Sequence, residues 1–298
     1  MIRRRARTAP PPSLYLYLAP AVLILAVFLV LPLIRTIEIS LYDWNLISPQ
    51  RHFAGWANYR LVLSEPAFAR TLWQSALYVL FALAGNVALP LLLAMLTLRF
   101  GRREADVYQT LIFLPTIIPV SVGALLFLWL YLPTGGPLSI ALAKLGLGSP
   151  NWFNDPHWAL PAVSSVSIWK FFGFNYLILL AGLKAIPESF LEAAEIDGAV
   201  GWTLFRRIVL PLVMPTLLFT VVTTILQTLD HTFVPIQILT IGGPSGASSN
   251  LFYAIYQDAF QFFQAGKASA LAVIYLALFA AFAIWQFRML ERHTHYEA

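Results

Sequence analysis

The sequence predicts an all-α integral membrane protein with six transmembrane helices, and three observations carry that expectation. Hydrophobic residues make up 59% of the 298 and charged residues only 11%, against roughly 45–50% and 25% in a soluble globular chain. Six apolar runs are each long enough to cross a hydrocarbon core about 30 Å thick, which takes roughly 20 helical residues. Lys and Arg gather at the ends of those runs, with a bias towards one side. With 19 Lys+Arg and 14 Asp+Glu, the chain cannot cover a water-facing surface in the usual way. A soluble enzyme and a disordered chain are both excluded.

The runs follow in order. Leu14–Ile34 is uncharged and opens on Tyr15 and Tyr17, where an aromatic belt sits. Thr71–Leu98 and Val107–Leu132 are uncharged throughout, and Trp158–Leu183 carries one charge, Lys170. Ile208–Leu229 and Ala268–Phe287 are again uncharged. None alternates like a barrel strand, so helices are expected. Pro115/Pro119 and Pro211/Pro215 predict kinks whose freed carbonyls neighbouring helices or waters satisfy. The chain thus divides into a tail 1–13, a six-helix region 14–287 and a tail 288–298. No cysteine is present, which removes disulfides and thiol chemistry.

Orientation follows from the basic residues. One side holds twelve: Arg3, Arg4, Arg5, Arg7, Arg99, Arg102, Arg103, Lys184, Arg206, Arg207, Arg288 and Arg292. The other holds six in longer loops: Arg35, Arg51, Arg60, Arg70, Lys144 and Lys267. This excess places both termini in the cytoplasm. It is also no nucleic-acid footprint, because the charges mark helix ends and not one patch. A cleaved signal peptide competes for the N-terminus, but the first run is too long and no small-x-small cleavage site follows it. The outer loops Arg35–Arg70, Pro133–His157 and Asp230–Lys267 are rich in Trp, Pro, Gly and Asn and read as folded caps.

The inner segment 184–207 carries the most information. Pro187 and Glu188 suit a first helical turn, Glu192-Ala193-Ala194-Glu195 continues a helix, and Gly198 suits a left-handed terminus after Asp197. A second helix beginning near Trp202 leads into the fifth run, with Arg206 and Arg207 at the boundary. Ile186, Phe190, Leu191, Ala194 and Ile196 supply a short apolar face, with Leu191, Ala194 and Ile196 as anchors, and Glu192 can pair with Arg206, Arg207 or a basic group on a partner. Such a helix either docks in a groove of a partner protein or simply ties two spans together.

Glu192-Ala193-Ala194, three residues, Gly198, nine residues and then Ile208-x-Leu210-Pro211 resembles the EAA signature of binding-protein-dependent ABC importer permeases at every position. Thr240-Ile-Gly-Gly-Pro244 and the closing Leu290-Glu-Arg with Tyr296 resemble the carbohydrate and glycerol-3-phosphate branch of that superfamily. The resemblance implies a type I importer permease fold in a bacterial cytoplasmic (inner) membrane. It also implies a second six-helix permease subunit, two ATPase subunits and an extracytoplasmic solute-binding protein as partners, besides membrane lipid. It assigns ATPase coupling to Glu192, Ala193, Ala194, Asp197, Gly198, Arg206, Arg207, Leu210 and Pro211. The chain has no Gly-x-x-x-x-Gly-Lys-[Ser/Thr] loop, so ATP and Mg²⁺ are expected in the partner ATPase and no cofactor in this chain. Sugars, sugar alcohols and sulfonated or phosphorylated glycerol and sugar derivatives all fit the branch as solutes.

Polar groups inside apolar spans are costly and are the solute-path candidates: Asn86, Lys170, Asn175, Gln227, Thr228, Asp230 and His231. Lys170 meets an anionic solute, contacts a carboxylate or carbonyl on a neighbouring helix, snorkels, or pairs with the other permease subunit. Gln227, Asp230 and His231 lie about one turn apart near Phe233, a set of hydrogen-bonding groups beside a stacking surface that suits hydroxyl-rich ligands. Asn86 reads as an interhelical hydrogen bond. The five histidines (His52, His157, His231, His293, His295) form no metal-binding spacing. A secondary transporter is the rival, but no acidic residue lies deep in a span to relay protons or sodium. A structural membrane subunit without an ATPase partner would leave the loop signature unexplained.

Overall fold

The computed structural model describes residues 12–98 and 100–293. Arg3, Arg4, Arg5, Arg7, Arg99, His295 and Tyr296 lie outside them. Helices dominate, and the one sheet among the described residues is a two-residue ladder pairing Tyr42 with Phe53 and Asp43 with His52.

Five helices are long and apolar enough to cross a membrane: Tyr17–Ile39, Pro66–Thr97, Pro156–Lys184, Trp202–Leu239 and Ala265–Gln286. The third expected span is not one helix. Arg103–Ile117 and Val120–Leu130 meet at 98°, so six spans are counted only if the bent pair is one. Pro119 explains the break. A residue before proline is pushed out of the helical region, and Ile118 is extended at φ −71°, ψ 130°. Pro119 then opens the next helix from φ −55°. Elsewhere the prolines act more gently. Pro32, Pro90 and Pro211 each follow a five-residue π-helical stretch, at Ala26–Val30, Ala84–Ala88 and Phe205–Val209. Proline removes one i→i−4 bond and crowds that carbonyl, and the widened turn accommodates both effects.

The chain forms two compact units. One runs to Ser64 and includes Ile255–Phe282. Its outer cap is a short hairpin followed by the helix Ala57–Ser64. Buried Asn58 donates to the carbonyls of Ser40 and Tyr42, at 2.9 Å each. Gly266 sits against the Tyr42 carbonyl, where no Cβ would fit. None of the most apolar window of Tyr17–Ile39 is buried within this chain.

The other unit runs from Glu65 to Ala254 and resumes at Ala283. Its central helix is Pro156–Lys184, capped by Asp155, whose carboxylate accepts from the His157 amide at 2.9 Å. That hydrogen bond, with help from the His157 ring, holds the Asp155 carboxyl below the ordinary range. The second and fifth spans pack on this helix through Leu91, Ala94, Tyr176, Leu179, Leu180, Leu183 and Val213. The Tyr176 hydroxyl donates to Thr97 Oγ1 at 2.9 Å. The segment after Leu239 is tied down by side chains that bond main-chain carbonyls and one threonine hydroxyl. Tyr78 donates to the Ser248 carbonyl at 2.7 Å, and Asn250 donates to the Leu229 carbonyl at 3.2 Å and to Thr232 Oγ1 at 2.8 Å.

Helix crossings in this unit depend on glycine. A Cβ on Gly173 would collide with the Ile112 carbonyl and lie 2.8 Å from Phe113 Cα, so the third and fourth spans touch backbone to backbone. Gly173→Val should therefore cost about 1–3 kcal/mol through overpacking and lower the melting temperature in detergent by several degrees. Gly148→Ala, with nothing within 4 Å of its Cβ, should leave it unchanged in the same thermal scan.

Candidate functional site

Two places carry function-bearing residues. The first is a small recess of about 20 Å³, room for roughly one water, between the second, fourth and fifth spans. Asn86, Asn175, Gln227, Thr228 and His231 line it, joined by Phe171. Asn175 Nδ2 donates to the Asn86 carbonyl at 2.8 Å and to Thr224 Oγ1 at 3.2 Å. The first bond has a direct cause. Pro90 stands four residues after Asn86 and has no N–H to offer that carbonyl, so a side chain from the fourth span supplies the donor. The expected interhelical bond at Asn86 is thus made by its main chain. Its Oδ1 is buried with no hydrogen-bond partner among the described residues, an acceptor left over beside the recess.

The fifth span brings only part of its expected set together. Gln227 and His231, one turn apart at i and i+4, both line the recess, whereas Asp230 is exposed and is not among the lining residues. A helix turns about 100° per residue, and the recess takes Gln227, Thr228, His231 and Thr232 but not the side chain of Asp230. The stacking partner also differs from the expected Phe233. The His231 ring stacks on Phe171, with centroids 3.9 Å apart and planes 11° apart, while Phe233 meets Phe252 and Tyr253.

Lys170 does not line the recess. Its Nζ donates to the carbonyls of Thr116 at 3.1 Å and Ile118 at 2.5 Å. Among the sequence alternatives for Lys170, the contact with carbonyls of a neighbouring element is present.

Sequence reasoning missed Phe171, Thr224 and the serines Ser164 and Ser167, which complete the recess. A signal was available. Ser164, Ser167, Phe171 and Asn175 fall at helical spacing on one side of the fourth span, and Thr220, Thr224 and Thr228 repeat every four residues on the fifth.

The second place is the segment between the fourth and fifth spans. Its helix is Glu188–Ile196, with Pro187 at the N-cap and Asp197 at the C-cap. Gly198 follows at φ +81°. Its N–H bonds the Glu195 carbonyl at 3.0 Å, and the Ala199 N–H bonds the Ala194 carbonyl at 2.9 Å, the paired closure that ends a helix on a left-handed glycine. Gly201, at φ +57° and ψ −122°, caps the next helix. The two glycines set the reversal that leads to Trp202–Leu204 and the π stretch Phe205–Val209. Leu210 and Pro211 then open the long helix Leu210–His231.

Of the expected apolar face, Phe190 and Ile196 are exposed, whereas Ile186 packs against the core of its own chain. Ala194 is buried against its own chain and cannot serve a partner, and Leu191 is half-buried. Phe190, Ile196, Val200 and Trp202 are the large apolar side chains left exposed. Glu192, Ala193, Arg206 and Arg207 are exposed as well, and among the described residues no ion pair joins Glu192 to either arginine. The segment therefore carries an exposed apolar patch with acidic and basic flanks. No group of three His, Asp or Glu side chains among the described residues could hold a metal ion.

With this geometry in place, the chain can be compared with known proteins. It is 32% identical over 284 residues to the sn-glycerol-3-phosphate transport system permease protein UgpA of Agrobacterium fabrum, covering 95% of this chain and 96% of that one. It is 35% identical over 268 residues to the sulfoquinovosyl glycerol transport system permease protein SmoG of the same organism, covering 88% and 85%. Its fold matches a chain of a bacterial ABC transporter involved in the import of the acidic polysaccharide alginate, with a TM-score of 0.81 at 24% identity over 95% of this chain and 96% of that one. The family described as binding-protein-dependent transport system inner membrane component matches residues 86–296, which take in the recess, the broken third span and the loop helix. The chain belongs to that family of transport-system membrane components.

Proposed function

We propose that this chain is one of two unlike permease subunits of an ATP-driven importer and forms half of its translocation path. The observation that carries the reading is the loop Glu188–Val209. It is a short helix closed by a left-handed glycine, with exposed Phe190 and Ile196 and unpaired charges, joined without a linker to a membrane-crossing helix. Such an element suits a cleft in a cytoplasmic ATPase, because an apolar anchor flanked by charges survives large motion. Two ATPase subunits would bind ATP and Mg²⁺ and hydrolyse the nucleotide, and this chain would take no catalytic part. Both termini then lie in the cytoplasm, in agreement with the excess of Lys and Arg on that side. The unburied apolar surface of Tyr17–Ile39 is consistent with packing on a second six-helix subunit and on lipid. A solute-binding protein would deliver the cargo from outside.

The chemistry of the groups lining the recess, and not its volume in this state, supports a hydroxylated cargo. The recess combines amide, imidazole and hydroxyl groups with the Phe171 ring, the mixture that sugars and glycerol derivatives require. Two relatives carry sn-glycerol-3-phosphate and sulfoquinovosyl glycerol in their names, which points to the same broad class. Thermal-shift screening of the cognate binding protein against such compounds identifies the cargo.

Two outcomes test the reading on the complete transporter in proteoliposomes. His231→Ala and Gln227→Ala should each lower solute uptake roughly tenfold, the scale of one or two lost hydrogen bonds, while Asp230→Ala stays within about twofold because it faces away from the recess. Equal, wild-type uptake in all three would remove the recess from the path. Gly198→Val should abolish uptake, since φ +81° is hostile to a β-branched residue, and Glu192→Lys should do likewise by reversing a docking charge. Both should still insert in the membrane. The ATPase should then be lost on purification or hydrolyse ATP without moving solute. Full, coupled uptake by Gly198→Val would show that this loop does not couple.

A further inference from the structure

The fourth span spends two of its few polar side chains on the backbone of its neighbours. Asn175 serves the Asn86 carbonyl, and Lys170, five residues earlier, serves Thr116 and Ile118. The second contact lies at the sharpest feature of the fold, the 98° break in the third span. At the end of Arg103–Ile117 the Ile118 N–H bonds the Pro115 carbonyl at 3.2 Å. Ile118 is extended, and among the described residues no backbone N–H across the break bonds the Thr116 or Ile118 carbonyl. In hydrocarbon a freed carbonyl finds no water, so it needs a donor from protein. Nζ of Lys170 meets two of them, and the Thr116 hydroxyl returns a bond to the Lys170 carbonyl at 3.1 Å.

The same stretch of the fourth span grips both arms of the break. Gly173 lies against the backbone of Ile112 and Phe113 on one arm. On the other, the Trp169 ring lies 5.5 Å from Phe127 and fills the space where a Cβ on Gly123 would sit. Between these contacts stand Lys170 and Phe171, and the Phe171 ring forms the recess wall against His231. The bend and the recess wall therefore hang on consecutive residues.

We propose that Lys170 is a conformational clamp. Its side chain supplies the donors that the Ile118–Pro119 break removes, and so holds the third span bent in the state described here, with the Phe171–His231 wall in place. A solute ligand is a different role, and Nζ is already engaged by main-chain oxygens. Straightening the third span, or swinging one arm, requires Nζ to release the Thr116 and Ile118 carbonyls.

The test is a distance across the break. The chain has no cysteine, so Val107→Cys and Trp129→Cys, both at exposed positions, accept spin labels without background. At 1.5 Å per residue the two backbone positions lie roughly 22 Å apart with the arms at 98° and roughly 33 Å apart in a straight helix. The full-length chain is measured in nanodiscs, in the complex in which it is purified, by double electron–electron resonance. The wild-type background should give a narrow distribution at the short distance. Lys170→Met should shift at least half of the population towards the longer one, and Lys170→Arg, which keeps the cation and its donors, should restore the short distance. Where Lys170→Met does not assemble, Lys170→Gln, with one uncharged amide donor, should give a broadened distribution with a long component. An unchanged short, narrow distribution in the Met variant, or in the Gln variant where it stands in, overturns the clamp. So does a long distance in Lys170→Arg. This readout needs neither solute nor ATP hydrolysis, so failure of the clamp and failure of the importer reading are told apart.

Discussion

A main-chain carbonyl freed by proline inside a membrane has to be given a donor, and much of the larger unit is arranged around that requirement. In water the loss of one helical bond is made good by solvent. In hydrocarbon it is not, and each unpaired group costs several kcal/mol. The structure contains two solutions. Where the backbone stays helical, a π stretch before Pro32, Pro90 or Pro211 redistributes the bonding. Where a carbonyl remains open, the fourth span provides a side chain, Asn175 at Asn86 and Lys170 at Thr116 and Ile118. This fixes the register of the fourth span against two neighbours at once. It also explains how polar residues persist in that span at a tolerable cost.

The sequence and structure agree where a signal is local and diverge where it depends on a third element. Hydropathy runs located the spans because burial in lipid is a property of the run itself. Gly198 was legible as a left-handed helix end because only glycine takes φ near +81° without strain. The extent of the third span was not legible. Pro115 and Pro119 promise a kink, but whether it becomes a 98° break depends on a lysine 51 positions after Pro119 being in reach. Likewise, Gln227, Asp230 and His231 look like one cluster in the sequence, and only the i, i+4 pair shares a face. Ala194 looks like a docking residue and is instead covered by its own chain. Phe171 shares a helical face with Ser164, Ser167 and Asn175, but nothing local in the sequence says that this face meets His231.

The small residues of the fourth span belong to the same arrangement. Donors as short as asparagine reach across only when backbones approach closely, and close approach needs glycine. Gly85 leaves room for Ile168, Gly173 for the backbone at Ile112 and Gly182 for Thr216. Each crossing also lies within about two turns of an interhelical polar contact. Packing alone drives helix association in lipid, since the tails are as apolar as leucine. Glycine contacts supply proximity, and the polar bonds select the register.

These contacts also connect the two functional places. The fifth span starts at Trp202, beside the loop helix, and reaches His231 at the recess 29 positions later, roughly 44 Å along a helix at 1.5 Å per residue. A displacement of the loop therefore arrives at the recess through one continuous helix and not through a flexible linker. The fourth span runs back from the recess to Lys184, next to the same loop. Because Gly182 meets Thr216 and Asn175 meets Thr224, the two helices are tied at two levels and cannot slide independently. The π stretch Phe205–Val209 and Pro211 sit below both ties, at the loop end. Compliance is placed where the loop must turn, and stiffness where the recess must keep its shape.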